Sequence, residues 1–385
     1  MNGRAAVLTA LALLSLAFWL ALLISVELSI RAVRAVPSDA GRAEWPRLSL
    51  VIPARNEADH LAAALRSRLG DDYPNLEVVF VNDRSTDATG EVAEALAKTE
   101  PRLRVVHVTE LPAGWLGKLN AMQRGLEQAT GEWVLFSDAD VSWVPGTLRR
   151  VLHYAEEERA DHVTLLPRIT GKGALLQATL AAFFRVVLMG GRLWGVAKPE
   201  SSAAVGVGAF NLVRRASLAQ TPGLPWLKME IGDDMALGVL MKRHGFRSRV
   251  LNGRDALSLD FYPSYVALAR AVEKNGAAAP FPTLVLANLS LVVLETGFFA
   301  GPPALLLAGL LLSIAASLRA CTWLGLPRWP CFAPGLGIAL LSGAMLRSAV
   351  LCVVRGGVLW RGTLYPTAEV RAGNRLGITP SAKRA

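Results

Sequence analysis

The sequence predicts an α/β domain on a mostly parallel sheet, held between apolar helices at the two ends of the chain. Two observations predict this. Between residues 48 and 167, apolar runs of strand length alternate with segments of helical spacing. In addition, 52% of the 385 residues are hydrophobic and the mean hydropathy is +0.35, values that point to membrane segments. The length exceeds one typical domain, so a globular unit plus something else is expected.

Taken in order, residues 5–26 form a charge-free run long enough to cross a hydrocarbon core as a helix. Arg4 before it also suits a signal peptide. However, the run is long, passes into Val-Glu-Leu-Ser-Ile-Arg and lacks a small-residue cleavage pattern at the right place, so residues 1–30 are expected to stay as an anchor. The segments "LSLVIPA" (48–54), "EVVFVND" (77–83), "RVVHVTE" (104–110), "EWVLFSDAD" (132–140) and "HVTLLP" (162–167) read as strands. Helical spacing of Ala and Leu fills 57–69, 86–99, 117–129 and 145–159, with Asn82–Asp83 and Ser85–Thr86–Asp87 as N-cap signals for the second helix. Near-continuous apolar strands separated by helices imply a parallel sheet covered on both faces.

Residues 174–195 are apolar but interrupted by Arg185 and Arg192, which suits a helix at the membrane interface better than one crossing it. Uncharged runs follow at 296–318 and 329–346, with another before Glu295. The expected layout is an anchor at 1–30, a catalytic domain at 45–275, membrane helices at 280–356 and a basic tail at 357–385. The tail argues for a cytoplasmic C-terminus and an even number of spans, four if each late block crosses.

The formal net charge is +10 and the pI near 9.9. The basic residues flank the apolar runs: Arg31, Arg34, Arg42 and Arg47 after the first, and Arg355, Arg361, Arg371, Arg375, Lys383 and Arg384 after the last. That pattern fits cytoplasmic loops and anionic headgroups, not the aromatic-interleaved patches of a nucleic-acid binder. Cys321, Cys331 and Cys352 form no CxxC pair, and the five histidines form no HExxH, so neither a disulfide framework nor a zinc site is supported.

In open parallel sheets ligands bind beyond the carboxyl ends of the strands. Here the first strand runs into Pro53-Ala54-Arg55-Asn56-Glu57, the second ends at Asn82-Asp83-Arg84 and the fourth at Asp138-Ala139-Asp140. Capping would explain Asp83 alone, and a solvated acidic turn would explain Asp138 and Asp140 alone. Together with Glu57 they favour a cation at that edge. Carboxylates spaced Asp-x-Asp suit Mg²⁺ or Mn²⁺, which usually also hold substrate phosphates. In "LPAGWLGKLNAMQRG" (111–125), glycines allow a tight turn and Lys118 enters a helix whose N-terminus attracts phosphate. The segment is not a Walker A loop.

The ordered set "VIPARNE", "VNDRSTDAT", "GWLGKLNA", "SDADV" and "GDDMALGVLMKRHG" resembles the motifs of membrane-bound family 2 glycosyltransferases. Within them it is most similar to the hopanoid-associated glycosyltransferases, with ceramide and carotenoid glycosyltransferases as more distant relatives. The resemblance covers residues 45–275 and implies a GT-A-like nucleotide-sugar-binding domain. It further implies that Pro53, Arg55, Glu57 and Asp83 line the nucleotide pocket, with Lys118 by the nucleotide or its phosphates. Asp138 and Asp140 would bind the diphosphate through Mg²⁺ or Mn²⁺. Asp234 would be the general base, with Asp233 as runner-up, and "VGVGAFNLVRR" (205–215) the acceptor-side loop.

The Gln-x-x-Arg-Trp motif of processive and ceramide-type members is missing; "ARAVEKN" (269–275) and "LWRGTLYP" (359–366) offer Arg270, Lys274 and Arg361 in its place. The implied reaction is inverting transfer of a sugar from a nucleotide-sugar donor to a membrane lipid, a hopanoid among the acceptors, on the cytoplasmic side of the inner membrane. The alternatives are transfer to another lipid (ceramide-like, carotenoid or polyprenyl phosphate) and a non-catalytic nucleotide-sugar-binding membrane protein. A transporter would need polar residues inside the spans, and Glu295, Arg319 and Arg347 lie near span ends or interruptions.

Overall fold

The computed structural model describes residues 3–38, 41 and 44–376. Arg42 and residues 377–385 of the expected basic tail, with Lys383 and Arg384, lie outside the described residues.

The chain opens with helix α1 (Gly3–Ala32) and then alternates: β1 (Leu48–Ala54), α2 (Ala58–Leu69), β2 (Leu76–Asp83), α3 (Thr89–Ala97), β3 (Leu103–Val108), α4 (Gly117–Gln128) and β4 (Trp133–Phe136). Next come β5 (Val141–Trp143), α5 (Thr147–Glu157), β6 (His162–Leu166), β7 (Arg168–Thr170), α6 (Ala174–Gly191), β8 (Asn211–Arg214), α7 (Arg215–Leu218), α8 (Asp233–Arg243), β9 (Ser248–Asn252), β10 (Leu257–Asp260) and α9 (Tyr265–Ala271). The last part holds α10 (Phe281–Thr296), α11 (Pro303–Leu324), α12 (Leu336–Arg355), β11 (Gly357–Trp360), β12 (Thr363–Pro366) and α13 (Thr367–Gly373).

The main sheet has seven strands in the order β3-β2-β1-β4-β8-β6-β9. β1, β2, β3 and β4 run parallel, as do β6 and β9, while β8 is antiparallel to its neighbours β4 and β6. Alternation along the strands sorts the core. Leu50, Ile52, Val78, Phe80 and Leu135 face a cluster with Leu61 and Leu65 of α2. Val51, Val79, Val81, Val134 and Phe136 face Leu119 and Met122 of α4 and Leu237 and Leu240 of α8. Each such side chain contributes roughly 1.5–3 kcal/mol by burial, so a one-residue register slip would turn both faces wrong at once.

Several expected boundaries shift. The fourth strand stops at Phe136, so Asp138 and Asp140 sit in a turn and not at the end of a longer strand. The second helix starts at Thr89, and Asp83 is no cap for it: its carboxylate pairs with Arg84 at 2.8 Å. Asp87 instead accepts the Thr89 N–H at 3.0 Å.

Among the described residues, five helices are long and apolar enough to cross a membrane: residues 3–32, 174–195, 281–300, 303–324 and 336–355. The apolar run at 296–318 is broken by a short 3-10 turn, Gly297–Ala300, before Pro303 starts α11, and the run at 329–346 begins in the turn Trp329–Phe332. Arg185 in α6 is paired with Glu295 at 2.6 Å, both buried, and lies 5.5 Å from the Trp19 ring centre. Arg319 pairs with Glu27 and Arg347 with Glu273. The polar residues a transporter would need are thus spent on structural ion pairs. Asn252, at the end of β9, ties two helix ends to the sheet: its N–H donates to Arg34 O at 2.8 Å and its amide to Trp323 O at 3.0 Å.

His162 sits inside the sheet between Asn211 Oδ1 (2.6 Å) and Ser248 Oγ (3.2 Å). Burial pulls its pKa down from 6.5 to about 4, against the upward pull of the Asn211 bond. The unfolded chain therefore takes up this proton first, and stability falls as pH drops from about 6.5 towards 4, by roughly 3 kcal/mol in full. Melting of the detergent-solubilised protein should show this acid loss, and His162→Gln should flatten the slope between pH 6.5 and 4.5. An unchanged slope in the variant would assign the acid sensitivity elsewhere.

Candidate functional site

The parallel strands deliver their carboxyl ends to one edge of the sheet, and the turn after β4 is pinned there. Asp138 N–H donates to Gly208 O at 2.9 Å, and Ser137 Oγ donates to Ala209 O at 2.8 Å. Beneath the turn lies Arg68, fully buried, donating to the carbonyls of Asp138 and Val141 (3.3 Å for the latter). Burial lowers the Arg68 pKa to about 10, although the Asp140 and Asp138 carboxylates pull it up. A side chain at position 208 would place its Cβ 2.5 Å from Asp138 Oδ2, so only glycine lets the 205–211 loop pass so close.

Lys118, on the first turn of α4, reaches 2.8 Å from Asp138 Oδ1 and 2.9 Å from Asp233 Oδ2. Burial would lower its pKa, but the carboxylates of Asp138, Asp233 and Asp234 overcome that and raise it. Burial likewise raises Asp138, and Lys118 more than reverses the effect. Asp234 differs. Its Oδ2 accepts the Gly208 N–H and its Oδ1 the Met235 N–H, and its pKa is raised by burial and by Asp233, with Lys118 opposing. Pro53, Lys118, Asp138, Asp233 and Asp234 line one narrow cleft.

This cleft adjoins a cavity of about 940 Å³ that also holds Glu57 and Asp140. Burial raises the pKa of Glu57, Arg361 offsets part of this, and Asp140 and Asp138 add to it. Asp140 is raised by burial in the cavity wall and by Asp138. Glu57 and Asp140 thus both face the cavity with raised pKa values. Among the described residues no three His, Cys, Asp or Glu side chains form a metal cage. Asp138 and Asp140 carry carboxylates, the hard oxygen donors that suit Mg²⁺ or Mn²⁺.

The hairpin β11–β12 returns from the last apolar helix to roof this edge. Arg361 at its tip stands 3.7 Å from Glu57, Thr363 accepts from Arg55 at 3.4 Å, and Tyr365 OH accepts the Gly117 N–H at 3.1 Å. Asp83, packed against Gly117 and paired with Arg84, thus lies under the hairpin's inner face. Lys274 lies 4.7 Å from the Trp360 ring centre, and burial lowers its pKa against the pull of Asp233 and Asp234. The structure therefore gathers the sequence-predicted residues along one edge: Glu57, Lys118, Asp138 and Asp140 in the cavity, Asp233 and Asp234 in the cleft, Arg55 and Asp83 to the side.

Sequence reasoning missed Arg68, Tyr365 and Glu230. Arg68 had a legible signal, an arginine in register with the buried Leu61 and Leu65 face of α2. Glu230, buried, accepts the Gly232 N–H at 2.9 Å and the N–H groups of Arg375 and Leu376, the latter at 3.2 Å. It fastens the chain after α13 to the turn that precedes Asp233.

Residues 49–220 match the family model of glycosyl transferase family 2. An uncharacterized glycosyltransferase, YibD, of Escherichia coli K12 is 32% identical over 115 residues, 30% of this chain and 32% of its own length. GalNAc(5)-diNAcBac-PP-undecaprenol beta-1,3-glucosyltransferase of Campylobacter jejuni is 32% identical over 112 residues, 29% of this chain and 35% of its own. The chain thus spans about a third of the length of these relatives. The mannosyltransferase PcManGT of Pyrobaculum calidifontis, solved with GDP-Man and Mn²⁺, superposes with a TM-score of 0.55 at 21% identity, covering 90% of this chain and 99% of that one. The fold is GT-A-like.

Removing the Glu230 carboxylate should release the C-terminal segment before it harms the sheet, because a lost acceptor leaves buried N–H groups unpaired at about 1–3 kcal/mol. Hydrogen exchange of Glu230→Ala should show deprotection confined to residues 230–235 and 367–376. Unchanged protection there would show that the fastening is redundant.

Proposed function

We propose that this protein is an inverting glycosyltransferase that moves a sugar from a nucleotide-sugar donor to a membrane lipid, with hopanoids among the acceptors. The observation that carries the reading is the Lys118 bridge, which joins Asp138 at a strand end to Asp233 at a helix start beside a cavity large enough for a nucleotide sugar. The family match over 49–220 and the GT-A-like fold support it.

In this reading Pro53, Arg55, Glu57 and Asp83 take the nucleotide, and the hairpin residues Thr363 and Tyr365 brace Arg55 and the Gly117 turn beside it. Asp138 and Asp140 would hold Mg²⁺ or Mn²⁺, which when bound neutralises charge on the departing diphosphate. Lys118 keeps Asp138 in place and adds a cation near that charge. Asp234 takes the acceptor hydroxyl proton: burial and Asp233 raise its pKa, whereas Asp233 spends an oxygen on Lys118. A second reading of the acceptor, a polyprenyl-linked one, is favoured by the Campylobacter relative, whose name specifies PP-undecaprenol.

The membrane arrangement follows from helix ends. The C-terminal ends of α1 and α11 both meet the sheet through Asn252. Helix α6 starts and finishes on the α/β unit: Gln177 donates to Gly171 O at 3.0 Å, and Lys242 donates to Val196 O at 2.8 Å and to Lys198 O. Helix α12 is held by Tyr265 OH on Leu340 O, 3.0 Å, and by Ser348 on Val272 O, 2.9 Å. In our reading α1, α10 and α11 cross, with the α/β unit on the cytoplasmic face of the inner membrane; α12 packs antiparallel along α10, Gly335 beside Thr296 and Ala349 beside Leu284, and so shares its depth.

Lipid extracts from cells with and without the protein, compared by mass spectrometry, should differ by a hexose-sized shift in one lipid class; no glycolipid change would overturn the reading. In purified protein, Asp234→Asn should lower kcat by about 10²–10⁴-fold with donor KM nearly unchanged. Wild-type turnover in that variant would remove Asp234 as the base. EDTA should abolish transfer and Mn²⁺ or Mg²⁺ restore it, whereas Asp138→Asn should stay inactive at any metal concentration tried.

A further inference from the structure

Helix α12 has two unlike faces. One is fastened to the α/β unit: Ser348 bonds to Val272 O, while Arg347 and Arg355 grip the Glu273 carboxylate at 2.6 and 2.7 Å, beside Lys274. The other exposes Val350, Val353 and Val354, the last 76% exposed. Gly356 then turns the chain, in a left-handed conformation, straight into the hairpin. There the same division continues. Val358 and Tyr365 pair across the strands and are buried inward; Leu359 and Leu364, the next pair, face outward at 42% and 53% exposure. Exposed aliphatic side chains therefore line the outer face of α12 near its end and the outer face of the hairpin that follows it.

The hairpin also reaches the chemistry. Leu359, Trp360 and Arg361 border the cavity that contains Asp138 and Asp140. Its tip is a two-residue turn with Arg361 and Gly362 both at positive φ, +47° and +76°, a form that matches the twist of the strands and fixes where Arg361 points. Within ten residues the chain thus passes from an apolar face to the reacting carboxylates.

We infer that the hairpin 357–366 is the acceptor platform: the Leu359–Leu364 face, continuing the outer face of α12, receives the hydrophobic body of the lipid acceptor at the membrane surface. The acceptor's polar end then passes Trp360 into the cavity, towards Asp234. This rests on the glycosyltransferase reading above and adds where the lipid enters and which chemistry admits it. The acceptor class it selects has a long apolar body directly joined to a small polar end; a bulky polar spacer between them would hold the hydroxyl outside the cavity.

The test uses the full chain in nanodiscs with Mn²⁺, a panel of radiolabelled nucleotide sugars, and two forms of each trial alcohol: a long-chain isoprenoid alcohol and its five-carbon homologue. Leu364→Gln should raise KM for the long-chain acceptor by about ten-fold or more while the KM for the short homologue moves less than about two-fold, the pattern of lost apolar contact. Leu364→Met, which keeps apolar area, should retain the wild-type long-chain KM. Wild-type KM in the glutamine variant would overturn the platform. So would equal losses for both acceptors, which would make the hairpin only a structural brace. A wild-type protein that releases no nucleoside diphosphate from any donor would instead overturn the transferase reading itself.

Discussion

One lysine carries the arrangement of this molecule's working edge. Parallel strands must send their carboxyl ends the same way, and here those ends bear Glu57, Asp83, Asp138 and Asp140, with Asp233 and Asp234 brought in on α8. Half-buried carboxylates at such density repel one another and lose hydration. Lys118 lies between Asp138 and Asp233 within 3 Å of each, and Arg68 lies beneath the Asp138–Asp140 turn. Asp83 has its own cation in Arg84. Compensation is weakest at Glu57, which has only Arg361 at 3.7 Å, and at Asp140, the part of the edge that opens into the cavity.

Much of this was legible in the sequence because it is local. Strand runs end in named acids, helix α4 opens on Gly117-Lys118, and Gly232-Asp233-Asp234 starts α8. Hydrophobic period alone marks each of these junctions. The cations and roofs that complete the edge are another matter. Gly117 and Tyr365 meet across 248 residues, and Glu230 meets Leu376 across 146. Such pairings leave no periodic trace. Arg68 is intermediate: its place on the apolar face of α2 marks it, but only the fold reveals that the buried guanidinium faces a carbonyl turn.

The apolar helices show the same limit more sharply. Helices α6 and α12 match α10 and α11 in length and apolar content, and composition cannot separate a helix that crosses from one that lies flat. The helices differ in what holds them. Both ends of α6 hydrogen-bond to the α/β unit, and α12 is fastened along one side and at its exit. The expectation of an interfacial helix at 174–195 came from its interrupting arginines, yet Arg185 turned out to be buried against Glu295. The arginine thus serves helix packing, a role that the interruption alone does not reveal.

The two acids of the Gly-Asp-Asp turn are neighbours in sequence with unequal surroundings. Asp233 is buried and bound to Lys118; Asp234 is more open and bound only to backbone N–H groups. Desolvation and the charge of Asp233 raise the Asp234 pKa, with Lys118 opposing. Lys118 has two carboxylate partners, so if Asp138 turns to another cation, Lys118 still has Asp233 and the inequality persists. The lysine thus does more than neutralise the edge: by pairing with Asp233 it leaves the two adjacent carboxylates in unequal surroundings.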